Sequence, residues 1–183
     1  VRTEDAGLLW TPLPGDGDPL GTVLSPVAGP GTVVPVRPVS GQKGLALEVS
    51  GRVILLLPGS FDDVQVEAEL DVSGFRGRAG LVHHVAGTER AGIFRVDTGG
   101  EAVLAQITRG AEEVLDRGRV PTPPRALRLA VSAAGSHFKG MAVGAVVAHG
   151  HRGRSGPGGI GLFLDGSGVV TVVMMRVAPL PPH

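Results

Sequence analysis

The 183-residue chain carries 17 basic and 17 acidic side chains for a formal net charge of +0, is 42% hydrophobic but only 3% aromatic, and contains 30 Gly, 15 Pro and no Cys. Glycines without a three-residue period exclude collagen, and so high an apolar share excludes a disordered chain. No lysine-rich stretch supplies the attraction that nucleic-acid binding draws on. No apolar stretch approaches the roughly 20 residues of a membrane-spanning helix, and a chain of about 180 residues can bury a core with neither disulfide nor structural metal.

In chain order, the first 40 residues hold seven prolines, from Pro12 to Pro38. Each proline removes a ladder donor, so residues 1–40 are expected to form a mostly irregular arm. Leu45 to Val49 and Val53 to Leu57 read as a hairpin turning at Ser50-Gly51. In FDDVQVEAELDVSG, Val64, Val66, Ala68, Leu70 and Val72 alternate with Gln65, Glu67, Glu69 and Asp71, which places one face of a strand in a core and the other in water. Three more strands follow near 79–86, 91–97 and 102–108, with turns at Gly87 and Gly99-Gly100. AEEVLDRGRV is the one stretch where a helix competes, and Gly110 and Gly118 confine it; it reads as a strand. Another hairpin turns at Gly135, AHGHRGRSGPGG reads as a solvated loop, and GGIGLFLDGSGVVTVVMMRVAPL reads as a hairpin at Asp165-Gly166 before a short tail, 179–183. Twenty-seven valines suit pleated strands better than helices. The expected architecture is all-β, a two-sheet antiparallel β-sandwich over 41–178.

The succession LALEVSG-RVILLL, FDDVQVEAELDV, RAGLVHHV, a strand ending at Arg95 and Asp97, PPRALRLAVSAAGSHFKGMAVGAVVAHG and SGPGGIGLFLDGSGVVTVVMMRV resembles the concanavalin A-like lectin/glucanase jelly roll, most closely its laminin-G-like and 3-keto-disaccharide hydrolase branch. Leu127 to Val131, Gly135, Phe138 to Val143 and Gly159-Ile160-Gly161-Leu162 stand at the places of that branch's final strands. Gly144-Ala145 stands where its Asn-Gly turn would be, a departure from the pattern. The resemblance implies a curved sheet offered to a ligand, with carbohydrate binding or glycoside hydrolysis as the activity.

Glu67, Glu69 and Asp71 lie at two-residue spacing. Retaining hydrolysis needs carboxyls about 5–5.5 Å apart, and i, i+2 neighbours on a strand are roughly 6.5–7 Å apart. The order differs from the Glu, Asp, Glu of laminarinase-type relatives, so a solvated outer face is the plainer expectation. His83 and His84 are adjacent on a strand and are expected to point to opposite sides; His84 with Arg95, Asp97 and Gln106 would form a polar cluster suited to a sugar hydroxyl or carboxylate. His137, His149, His151 and His183 read as turn or tail residues without ligand spacing, so neither metal nor cofactor is expected. A weaker idea places calcium at Asp62, Asp63 or Asp165. Trp10, Phe61, Phe75, Phe94, Phe138 and Phe163 are the whole aromatic supply, and a core needs most of them. The first expectation is therefore a non-enzymatic, exported sandwich, periplasmic or extracellular after loss of a leader. It would serve as a structural or protein-binding subunit of a larger, membrane-associated assembly. The alternative is a carbohydrate-binding or glycoside hydrolase-like domain.

Overall fold

The computed structural model describes residues 2–4, 7–10, 25–28, 31–36, 44–87, 90–120, 125–143, 145–152 and 156–180. Every element among them is a strand: β1 (Arg2–Glu4), β2 (Gly7–Trp10), β3 (Ser25–Ala28), β4 (Thr32–Val36), β5 (Leu45–Leu56), β6 (Val64–Ala86), β7 (Arg90–Asp97), β8 (Glu101–Thr108), β9 (Ala111–Arg119), β10 (Ala126–Ala134), β11 (His137–Ala142), β12 (Ala145–His151) and β13 (Gly159–Pro179). All pairings are antiparallel.

Two long strands build both layers. The first half of β6 pairs β10 through Val64 to Asp71, and its second half pairs β7 from Arg78 to Ala86. β13 follows β6 along both halves, with β5 on its other side and β2 near its end. One layer is thus β1-β2-β13-β6-β10-β11-β12, with the first half of β5 and β4 beside β13, and the other runs from β3 through the second half of β5, β13 and β6 to β7, β8 and β9. Antiparallel hairpins and long continuous strands leave two sheets whose apolar faces must cover one another.

The alternation in β6 does what its period dictates. Val64, Val66, Ala68, Leu70 and Val72 are buried and, with Leu47 of β5 and Leu127, Leu129, Val131 and Ala133 of β10, pack against Leu55, Leu81, Phe94, Leu104 and Leu162 of the other layer. Glycines let the layers close: a Cβ on Gly140 would lie 2.4 Å from the Phe94 ring, and one on Gly118 would lie 1.9 Å from the Val147 carbonyl oxygen. Turns at Gly87, Gly99-Gly100 and Gly135 and the strand at AEEVLDRGRV stand as expected.

Two expected hairpins are absent. β5 runs unbroken through Ser50-Gly51, and β13 runs unbroken through Asp165-Gly166. Gly51 and Gly77 both stand opposite Gly166 in the register, so the glycines mark a corner where three neighbouring strands fold from one layer to the other. Within 1–40, β2 adds to β13, and β3 and β4 add to β5; most of the remaining arm, Gly144, Arg154 and the last three residues lie outside the described set. His149 and His151, expected in a loop, lie in β12, and His137 opens β11.

Candidate functional site

The outer face of the first layer carries the acids that alternation placed in water. Arg176 of β13 and Ala130 of β10 flank Glu67 in register, while Met174 and Arg128 flank Glu69. The carboxylates therefore sit in rows between guanidinium-bearing strands. Gln65 Nε2 donates to Glu67 Oε1 at 2.8 Å. Asp71 is taken up locally, accepting from the backbone N–H and hydroxyl of Ser73 at 3.0 and 2.7 Å.

Gln65 and Glu67 form a ridge between two depressions. The larger, about 450 Å³, is lined by Gln65, Glu67, Arg128, Leu129, Ala130, Met141 and Val143; the smaller, about 140 Å³, runs from the same ridge to Arg176, Ala178 and Leu180. An anionic acceptor, an amide and guanidinium donors face the space from one side, with a thioether and an aliphatic wall on the other. That set can hydrogen-bond neighbouring hydroxyls and cover an apolar ring face at once. Glu69 lines neither depression, so among the described residues the larger cleft has Glu67 as its one lining carboxylate.

The four-residue cluster of His84, Arg95, Asp97 and Gln106 does not assemble. Asp97 closes the β7–β8 turn, its Oδ1 accepting from the N–H groups of Gly99 and Glu101, both at 2.9 Å. Gln106 stands opposite Gly92 on the inward face of β8. Arg95 points the other way, to the outer face of the second layer, where Ile54, Val82, Val85, Ala91, Ile93 and Phe163 make a separate apolar cluster.

Arg95 is only 6% exposed. Its guanidinium lies 5.9 Å from the Phe163 ring centroid, beside Arg52 at 5.1 Å, and its Nη1 bonds Glu112 in an ion pair, while Nε has no partner. Removing one member of such a pair leaves the other desolvated and uncompensated. Glu112→Gln should accordingly lower stability by about 2 kcal/mol, less than for a fully enclosed pair because Glu112 is partly open to water. Arg95→Met, which removes the charge and keeps the stem, should cost less. Urea denaturation of both variants checks the order.

His83 and His84 correct a further expectation. His84 adopts φ 50° at a register shift in the β6–β7 pairing, and the bulge turns both rings to the same side. Their Nδ1 atoms are 2.7 Å apart, so one ring donates and the other accepts, in complementary neutral tautomers. His83 is fully buried, and burial first, then the neighbouring His84, lowers its pKa from the ordinary 6.5 to about 3. Burial also lowers that of His84, against an opposing hydrogen bond and charge from Asp62. The pair lies within the core and not on a ligand face.

The three aspartates weighed for calcium do not converge. Asp63 accepts from the Gly135 N–H at 2.8 Å, Asp165 pairs with Arg78, and Asp62 acts on His84. The described residues do bring together another set that sequence spacing hid: His137, His149 and His151.

No family model and no curated protein sequence matches the chain. Solved structures do. The carbohydrate-binding module CBM66 from Bacillus subtilis superposes with a TM-score of 0.68 at 19% identity, over 84% of this chain and 95% of that one. A Bacillus licheniformis β-glucanase superposes with 0.66 at 9% identity, over 97% and 100%, and the Crh5 transglycosylase with 0.64 at 12%, over 97% and 85%. The fold is the concanavalin A-like jelly roll, as the strand order implied.

Proposed function

We propose that this chain is a non-catalytic carbohydrate-binding module that takes a polysaccharide across the outer face of its first layer, over the Gln65–Glu67 ridge. The observation that carries the reading is the cleft itself: Glu67, Gln65 and Arg128 offer acceptor and donors on one wall, and Met141 and Val143 offer apolar cover on the other. The fold supports it, since the jelly-roll neighbours include a carbohydrate-binding module and glycan-processing enzymes. A single carboxylate in the cleft favours holding a glycan over cleaving one. Aliphatic and thioether cover in place of an exposed ring implies modest affinity, compensated by contact along several sugar units. A periplasmic or extracellular setting belongs to this proposal.

Affinity electrophoresis against neutral and acidic polysaccharides, followed by calorimetry on whichever retains the chain, is the test. Glu67→Ala and Arg128→Ala should each weaken binding at least about tenfold, roughly 1.4 kcal/mol, with unfolding midpoints near wild type because both residues lie on the outer face. Absence of retention on every polysaccharide, or retention that neither variant disturbs, overturns the reading.

The protein-binding reading keeps one specific observation. Val143 and Val146, at the β11–β12 end of the first layer, are 66% and 56% exposed, an apolar pair in position to meet another polypeptide. If Val146→Lys abolishes capture of a defined protein partner while polysaccharides are ignored, this second reading replaces the first.

A further inference from the structure

The sheet edge formed by β11 and β12 presents three imidazoles on one face. His149 and His151 are two residues apart on β12 and so point the same way, and His137 on β11 stands directly opposite His151. Ring centroids are 4.4 Å apart for His137 and His151, 4.8 Å for His149 and His151, and 6.5 Å for His137 and His149. One ring nitrogen from each residue falls within 4.8 Å of the others. Two imidazole nitrogens on a tetrahedral zinc ion, with bonds of about 2.1 Å, are roughly 3.4 Å apart. The rings must close by about 1.4 Å, which exposed side chains achieve by small χ rotations.

The backbone beneath is fixed. Phe138 and Gly150, paired in register, are buried between the histidines, the Arg152 N–H donates to the Ser136 carbonyl at 2.9 Å, and the His149 N–H donates to Asp116 Oδ2 at 2.8 Å. Arg152 and Glu113 pair across the neighbouring strand. Such a scaffold holds the three Cα positions while leaving the ring ends free, the requirement for a site that accepts an ion without refolding.

From this geometry we infer that His137, His149 and His151 form a binding site for a divalent first-row transition metal, zinc, nickel or copper. Neutral imidazole suits these ions, whereas magnesium and calcium require oxygen donors. Three protein nitrogens leave a fourth position for water or an external ligand. Lys139 occupies the fourth corner of the same square, opposite His149 in register. Its charge opposes the cation, and Lys139→His would supply a fourth imidazole. The site lies beyond the Gln65–Glu67 cleft and does not depend on the polysaccharide reading.

The experiment is zinc titration of the untagged full chain at neutral pH against a chromogenic competitor, with cobalt(II) loading to read coordination from the visible spectrum. One zinc ion per chain should bind saturably below about 100 µM free metal. His151→Ala, which removes the ring in contact with both others, should weaken binding at least about tenfold, and Lys139→His should tighten it. His183→Ala should change nothing. Circular dichroism and the unfolding midpoint of each variant verify folding, as expected for exposed positions such as Lys139 and His151. The inference is overturned if no saturable zinc binding occurs, if His151→Ala binds as wild type does, or if binding follows His183 instead.

Discussion

Acidification from pH 7 to 4 should remove roughly 3 kcal/mol of stability through His83 alone, and His83→Leu should remove that part of the pH dependence. His83 lies on the inward face of β6, its ring 5.3 Å from that of Phe138. A Cβ on Gly92 would lie 2.1 Å from its Cε1, so Gly92 is what admits the imidazole. Burial away from solvent, and then the neighbouring His84, disfavour the cation, so its pKa stands at about 3 against the ordinary 6.5. Between those values the unfolded chain binds a proton that the folded chain refuses. Stability therefore rises with pH through the window from 3 to 6.5 and is fully present above it. At about 1.4 kcal/mol per unit, the full window amounts to some 4–5 kcal/mol, a large part of the 5–15 kcal/mol typical of a domain. His84, whose pKa is also lowered by burial, adds in the same direction. Urea unfolding of wild type and His83→Leu at half-unit steps from pH 7 to 3.5 isolates the His83 contribution, because the carboxylates contribute to both proteins. Parallel stability curves would show that His83 takes up its proton equally in both states.

How far this structure could be read in advance depended on whether the relevant distance ran along the chain or across it. Period-two alternation in Val64 to Val72 is a property of one strand, and it placed that whole face in the core. It likewise placed Gln65 and Glu67 in water, where they line the cleft. Arg128 and Met141 could not be added, because their position beside Glu67 comes from the β6–β10 and β10–β11 registers. The histidine triad is the same case: His149-Gly150-His151 has the two-residue spacing, but His137 completes it only through pairing with His151. The misplaced His84 has another cause. Expecting its ring on the far side of the strand assumed regular pleating, and one left-handed residue at φ 50° reversed it.

Glycine was the punctuation that misled, and the distinction it concealed leads to the second large effect. Gly77→Val should lower the unfolding midpoint by about 8–16 °C, whereas Gly110→Ala should lower it by only a few degrees. Both glycines have positive φ, 141° and 77°. A side chain at either is strained, by about 1–3 kcal/mol. At Gly110, in the tight turn between β8 and β9, an added Cβ meets nothing within 4 Å, so strain is the whole cost. At Gly77, in the corner of β6, it would lie 2.2 Å from the Asp165 carbonyl oxygen and 2.7 Å from the Gly166 Cα. Those are backbone atoms of the paired strand and cannot rotate away. Relief requires β6 and β13 to separate where Arg78 and Asp165 pair, at a residue also held on its other side by the Thr98 N–H donating to the Gly77 carbonyl at 2.9 Å. Strain and displaced backbone together should reach about 4 kcal/mol, which for a domain of this size corresponds to the stated shift. A corner differs from a turn in this respect: each glycine must clear a neighbour in the sheet as well as adopt its own φ. Calorimetric midpoints of the two variants measure that difference directly. Equal losses at Gly77 and Gly110 would mean that the bend relaxes around a side chain and that the three-strand corner is not the rigid joint described above.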